Sequence, residues 1–590
     1  MFLFFIASNK KLRKQFSNIF LQECNNMNIL KEQKTKYQTS AFSLVFGLFF
    51  ASFGSKVYAN DQQQTLVLVG GSLTTCSSMS PKNCLSNKQI SGKQTNQFRL
   101  NNDALSAIKT NWPTKNKKNR QQTLKVLAQI AREKSGVITK SDILWAWRDL
   151  DNKLLNELTD SEYNFVIDSL EVAVLNIDST RQKEQVSTSD NNERAANDIL
   201  DFVAASLKTT TESPTILAVT ASSRDPYESA DFYEGLLNFK GIESSWLPLT
   251  PALAKAITSK QCESLDSLRT DSMGVFNRET IYPDRIKAEK ALCDKGVDHL
   301  VKLIENATGI MFNGGDQSLT RKVLFDDNGK QYPWTHAILQ RPLLVGTSAG
   351  TAVQSGGKNA YGTVPMISNG TSLAAMREGS FAVSAPSERC ENECGDKISA
   401  DSLTYEKQGG LGSFTYGVLD THFSERNRTM RLARLLADTG QQHGFGIDET
   451  TALVSIRAGE TALMTVIGKS GVVHVKSDAK NNGAISYWPA GAVIDVTKDG
   501  FTLAKRTVDN ALPRIKIPPL PMQRFGTIFS DAKLRSLVQA MCLTQEQQAV
   551  AQHDEFLLDL NATDNTHYYR VNTSSTGCAV ENLAFKVKTF

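Results

Sequence analysis

Residues 342–350 read Pro342-Leu343-Leu344-Val345-Gly346-Thr347-Ser348-Ala349-Gly350. A short apolar run enters a Gly-x-Ser-x-Gly turn, and a run of small residues leaves it. That is the pattern of a buried strand turning sharply into a helix. The two glycines allow the tight turn, which holds Ser348 in a strained, exposed position. The N–H of Ala349, at the helix start, could face a developing oxyanion. Taken alone, the motif fits a plain Gly/Ser-rich turn equally well. The same rhythm recurs on both sides. Apolar, β-branched runs at Thr65–Val69, Thr215–Thr220, Thr308–Phe312 and Thr415–Leu419 each end in glycine or polar residues. A helical stretch from Ser229 to about Phe239 follows one of them. Alternating strands and helices predict an α/β fold, a parallel sheet with helices on both faces. Ligands in such sheets bind where the strands' carboxyl ends open.

Three further loops lie at such ends. Phe312-Asn313-Gly314-Gly315-Asp316-Gln317 has adjacent glycines that let backbone approach a ligand, and the Gly315 N–H could be a second oxyanion donor. The bland alternative is a turn with Asp316 capping the next helix. Asp420-Thr421-His422-Phe423-Ser424-Glu425-Arg426-Asn427-Arg428-Thr429-Met430-Arg431 carries one of only seven histidines. A nucleophilic serine needs a base, and His422 is the best-placed imidazole. Its neighbours Arg426, Arg428 and Arg431 could equally be a solvated helix face. Gly446-Ile447-Asp448-Glu449-Thr450-Thr451-Ala452-Leu453 sets two carboxylates at the mouth of an apolar strand, and one of them could orient the imidazole.

Composition bounds the rest. The chain has 590 residues, 66 basic and 61 acidic. Residues 1–59 hold eight of the basic and two of the acidic side chains, so the other 531 residues are close to neutral. A near-neutral body argues against a nucleic-acid binder that works by phosphate neutralisation. Apolar content of 40% with 22% charged residues fits a globular chain. Ala41–Gly54 is an uncharged 14-residue run, short of the roughly 20 residues of a membrane span. Lys31, Lys34 and Lys36 precede it and Val57-Tyr58-Ala59 follows it, which is the pattern of a cleaved secretory leader. Met27 stands at a more usual distance from this run than Met1 does. The expected destination is the periplasm or the exterior, with no stable membrane span after cleavage.

Eight cysteines remain beyond the leader, in four sequential pairs. Export favours disulfides, and short loops close most easily. The expected bridges are Cys76–Cys84, Cys262–Cys293, Cys390–Cys394 and Cys542–Cys578. Cys390 and Cys394 have ligand spacing but no second pair nearby, so no metal is expected. Residues 60–71 read as the first strand, 72–212 as a largely helical insert, 213–508 as the catalytic α/β domain and 509–590 as a C-terminal extension. Thr159 with Glu162 marks a capping box inside the insert.

The four loops occur in one order: Gly-Gly-Asp-Gln, Gly-Thr-Ser-Ala-Gly, Asp-x-His-Phe-x-x-Arg-x-Arg-x-x-Arg and Gly-Ile-Asp-Glu-x-Thr-Ala. Together they resemble the cyanophycinase and aspartyl dipeptidase family of serine peptidases. The resemblance covers about residues 65–71 and 214–480. It implies a class I glutamine amidotransferase-like fold. It also implies Ser348 as nucleophile, His422 as general base, Glu449 as the acidic third member, and Gly315 and Ala349 as oxyanion donors. Gln317, Asp420, Arg426, Arg428 and Arg431 match the family's substrate-pocket positions. Thr421 departs from the Gln usual in cyanophycinases and bears on specificity. The implied substrate is cyanophycin, a polyaspartate with arginine on each side-chain carboxylate, or a related β-aspartyl peptide. No cofactor is implied, and members often form homodimers. An α/β-hydrolase order would put the acid before the histidine, and Asp401 lacks a strand–loop context for that role. A subtilisin order would need His299 or His336 upstream of the serine, and neither lies in a convincing motif. A non-catalytic binding protein on the same fold is the alternative from another class.

Overall fold

The structure is a computed structural model. It describes residues 63–590 apart from 87, 239–240, 388, 391–393, 396–397, 459–460, 480, 499, 516–525 and 572–576. The expected leader, and a start at Met27, lie outside the described residues.

Gln64–Val69 is buried along Leu66–Val69 and sits at the centre of a nine-stranded sheet. Continuous apolar runs of this kind are what a strand covered on both faces requires. On one side lie Leu343–Thr347, Gly309–Phe312, Thr215–Val219 and Glu243–Leu247, all parallel to it. On the other side Thr451–Ala458, Thr461–Gly468, Val493–Thr497 and Gly500–Leu503 continue the sheet antiparallel. The sheet is therefore mixed, and only five of its strands are parallel. Val69 lies opposite Thr347 on one side and Ala452 on the other. This register brings the ends of three strands to one place.

Val418–Asp420 was expected in the same parallel sheet. It belongs instead to a second one, pairing in parallel with His443–Ile447. That sheet continues antiparallel through Gly471–Ala479, Asn482–Pro489, Gly577–Thr589, Phe556–Asn561 and Gln548–His553. Residues 509–590 thus build much of the second sheet rather than trailing from a finished domain. The two sheets share a core, in which Phe445 of the second stands 4.9 Å from Phe501 of the first.

The stretch after residue 72 carries the helices Asn102–Thr110, Lys117–Glu133, Lys140–Glu157, Asp160–Leu170 and Arg194–Thr210, the first of them in a polar stretch that reads as irregular from sequence. Lys140–Glu157 and Asp160–Leu170 both open with capping boxes, Thr139 with Asp142 and Thr159 with Glu162. Its own core gathers Leu127, Ile143, Trp147 and Phe165. Arg278, buried beneath it, bonds Glu171 of this stretch at 2.9 Å and Asp225 of the α/β body at 2.6 Å. The last helix, Arg194–Thr210, packs on the main sheet and so belongs to the body. Among the described residues the disulfides are Cys76–Cys84, Cys262–Cys293, Cys390–Cys394 and Cys542–Cys578. Among the described residues no helix is long and apolar enough to cross a membrane.

Candidate active site

The strand Leu343–Thr347 delivers Ser348 with φ 53° and ψ −115°. Both flanking glycines are sterically required. A Cβ on Gly346 would stand 2.2 Å from the Gly350 oxygen, and one on Gly350 would stand 2.3 Å from the Phe312 oxygen. The Ser348 N–H donates to Val69 O at 3.0 Å, which fixes the turn to the central strand. Ser348 Oγ is 2.7 Å from His422 Nε2, and His422 Nδ1 is 2.6 Å from Glu449 Oε1. Three loops from two sheets therefore meet in one serine–imidazole–carboxylate line.

The end of the central strand organises all three. Val69 O holds Ser348, Gly70 O accepts the His422 N–H at 2.7 Å, and Gly71 O accepts the Thr450 N–H at 2.9 Å. The Ser72 side chain hydrogen-bonds Glu449. Gly71 faces the imidazole so closely that a Cβ there would lie 2.3 Å from His422 Cε1, and its φ is 118°. Burial lowers the His422 pKa, and the cations Arg426 and Arg428 lower it further, against the Glu449 hydrogen bond. Burial alone would raise the Glu449 pKa, but hydrogen bonds from His422 and Ser72 bring it below the ordinary value.

The Gly314–Gly315 loop passes directly beside Ser348. A Cβ on Gly314 would be 3.3 Å from Ser348 Cβ, and the Gly314 N–H is tied to the Tyr233 hydroxyl at 3.0 Å. Among the described residues neither Gly315 N–H nor Ala349 N–H makes a hydrogen bond. Ala349 follows the serine directly, and Gly315 follows the Gly314 that packs beside it.

The expected pocket residues divide in two. Asp420 and Arg431 do not line an open pocket. They face each other, buried, with Nε–Oδ2 at 2.8 Å and Nη2–Oδ1 at 2.6 Å. A buried carboxylate satisfied by a bidentate guanidinium is not free to receive a ligand's cation. Thr421 is buried too, its N–H on Asp420 Oδ1 at 2.8 Å and its carbonyl accepting from Arg428 Nη1 at 2.7 Å. Gln317 donates to the Ile367 carbonyl at 2.6 Å, which holds the loop in place. Arg426 is exposed. Arg428 reaches Asp420 Oδ1 only at 3.5 Å. Burial, then the nearby Arg431 and Arg426, pull its pKa down to about 9, so its charge is incompletely balanced. Beyond Gly315, a cleft of about 2160 Å³ runs between the helical insert and the body, lined in part by Tyr163, Arg224, Asp316 and Ser368. Ser348 is not on its wall.

Sequence reading missed Ser72, Tyr233, Glu425 and Arg535. The last two sit behind Glu449: Glu425 Oε2 accepts the Glu449 N–H at 3.1 Å, and Arg535 Nη1 bonds Glu425 Oε1 at 2.7 Å. Glu425 lies inside a quoted motif and could have been singled out there. Nothing in the sequence marked Arg535.

The chain is similar to cyanophycinases. It is 28% identical over 193 residues to the cyanophycinase of Synechococcus elongatus, covering 32% of this chain and 47% of that protein. With the cyanophycinase of Nostoc sp. (strain PCC 7120 / SAG 25.82 / UTEX 2576) it shares 24% identity over 280 residues, 46% of this chain and 76% of that one. The chain thus spans about half the length of the first and three quarters of the second. A solved structure of a peptidase from an acI-B1 Actinobacterium aligns with 50% of this chain and 91% of that one, at 18% identity and a TM-score of 0.29. No family model matches the chain.

Proposed function

We propose that this protein is an exported serine-type peptidase of the cyanophycinase kind, hydrolysing aspartyl peptide bonds of cyanophycin or related β-aspartyl peptides. Its fold is read as a class I glutamine amidotransferase-like sandwich. The observation that carries the reading is the unbroken line Ser348–His422–Glu449, at 2.7 and 2.6 Å. The similarity to cyanophycinases supports the substrate class. Four disulfides and the leader-like start support export.

In this mechanism neutral His422 takes the Ser348 proton at Nε2 as Oγ bonds to the scissile carbonyl carbon. The oxyanion forms between the Gly315 and Ala349 amides. Glu449 stabilises the imidazolium at Nδ1 without taking its proton. The imidazolium then protonates the leaving nitrogen, the C–N bond breaks, and an acyl-serine remains. Water enters, gives its proton to His422, and attacks the same carbon. The Oγ–C bond breaks and Oγ recovers the proton. Arg426 and Arg428 are the cations left to meet a substrate carboxylate, because Asp420 and Arg431 neutralise each other. Incubation with cyanophycin, followed by mass spectrometry, tests the reading. Release of β-aspartyl-arginine is expected. Cleavage of casein with none of cyanophycin or β-aspartyl dipeptides would overturn the substrate class and leave the serine mechanism standing.

A further inference from the structure

Behind the acidic residue of the line lies a second charged cluster that the mechanism does not use. Asp448 is fully buried, and its Oδ1 accepts the Ser424 N–H at 2.9 Å. Glu425 accepts the Glu449 N–H through Oε2. The segment 422–428, which carries the imidazole, and the turn 447–450, which carries Glu449, are thus clasped by two carboxylates. Those carboxylates repel each other. One cation stands between them: Arg535 Nη1 is 2.7 Å from Glu425 Oε1 and 2.8 Å from Asp448 Oδ2. Arg535 comes from the helix Lys533–Thr544, 110 residues beyond Glu425 and 87 beyond Asp448. That helix is fastened to the last strand by Cys542–Cys578, and Gln539 adds hydrogen bonds to the Cys578 backbone at both of its amide atoms.

We propose that Arg535 is a positioning residue: by bridging Glu425 and Asp448 it holds the His422 and Glu449 loops in reacting register. The C-terminal segment is then part of the catalytic apparatus rather than an accessory. This rests on the serine-peptidase reading above. The groups facing Asp448 are the Ser424 amide, Glu425, Arg535 and the Tyr487 hydroxyl at 3.5 Å, with Glu449 next to it in the chain. Burial, with Glu425 adding to it, pushes the Asp448 pKa up to about 6 even with Arg535 present. Without the guanidinium the carboxylate takes up a proton at higher pH, because an opposite charge at this distance is worth about one to three pH units. A protonated Asp448 is a weaker acceptor for the Ser424 amide than the carboxylate, so the clasp between the two loops slackens.

The test is the rate at which a fluorophosphonate labels Ser348, measured across pH for the whole chain. Arg535→Met should move the acid limb of that profile up by about one pH unit, and Arg535→Lys should bring it part of the way back. Arg535→Gln serves the same comparison if the methionine variant does not fold. A folded variant that labels more slowly at every pH, with its acid limb unmoved, would show a merely structural contact and overturn the inference. If the unaltered chain is not labelled at any pH, the serine reading falls first, and this inference with it.

Discussion

Ser348 holds a backbone conformation, φ 53° with ψ −115°, that costs a non-glycine residue on the order of 1–3 kcal/mol. The surroundings impose it, since Val69 O accepts both the Ser348 N–H and the Thr351 hydroxyl. Strain kept in this way aims Oγ at Nε2. Ser348→Ala should therefore abolish labelling and turnover, by about 10⁴-fold or more, with circular dichroism and melting temperature near those of the parent. His422→Ala should cost nearly as much, because the groups act as a unit. Similar turnover in both variants and the parent would sink the mechanism. The base must be neutral to accept the proton, and burial lowers its pKa. Activity should therefore persist as pH falls, with the acid limb of kcat/KM below about 6.5, the ordinary value for histidine. A limb above pH 7 would contradict the burial that the structure gives His422. Arg428 tests the other half of the site. It lacks a full counter-charge, so a substrate carboxylate gains from meeting it. Arg428→Ala should reduce kcat/KM on a β-aspartyl peptide by about tenfold or more, the loss of one charge-assisted contact of roughly 1.5–3 kcal/mol.

Among elements, the central strand and its Val69–Ser72 exit carry the most. Gly71 is where that exit meets the imidazole. Gly71→Ala places a methyl 2.3 Å from the ring at a φ of 118°, so His422 must leave Ser348. Labelling should then fall to the level of His422→Ala, while the two sheets, whose pairing does not involve this residue, keep their far-ultraviolet signature. Full activity in this variant would mean that the ring sits elsewhere. Four of the five parallel strands were legible because each is a short apolar run that ends in a turn, a purely local signal, whereas Glu243–Leu247, which opens on three polar residues, was not. The pairing of Val418–Asp420 was not, since three residues cannot say which sheet they join. Nor was the partnership of Asn482–Pro489 with Gly577–Thr589, across some ninety residues of chain. At the site the same division holds. Ser348, His422 and Glu449 stand in loops each of which alone reads as a plain turn, and only the order of the four motifs together points to their roles. Asp420 looked like a ligand group because sequence alone does not show that the turn into the helix Thr429–Thr439 returns Arg431 onto it.

At the scale of the molecule, the two sheets are joined by aromatic rings and by a histidine pair between them. His474 is buried and lies nearly parallel to Trp488, at 5.1 Å. Its Nε2 is 3.0 Å from His443 Nδ1, and Phe501 of the first sheet stands 5.1 Å from His443 and 5.2 Å from His474. One nitrogen donates and the other accepts, so the pair is satisfied only while it is not doubly charged. Burial holds the His474 pKa well below its ordinary value and lowers His443 to about 4. The sign follows from proton uptake. In the unfolded chain these imidazoles take up protons near pH 6.5, whereas in the folded chain they resist. Unfolding therefore binds protons as pH falls, and the stability they contribute is present above about 6.5 and is lost progressively toward 4. His474→Phe keeps the ring against Trp488 and removes the titrating group most deeply enclosed. The melting temperature of the parent should fall steeply between pH 6.5 and 4.5, and that of the variant should fall less over the same interval, although its value at neutral pH is lower for want of the hydrogen bond to His443. Parallel declines in the two proteins would mean that the acid limit of the fold is set elsewhere, and that the histidines between the sheets do not couple their packing to pH.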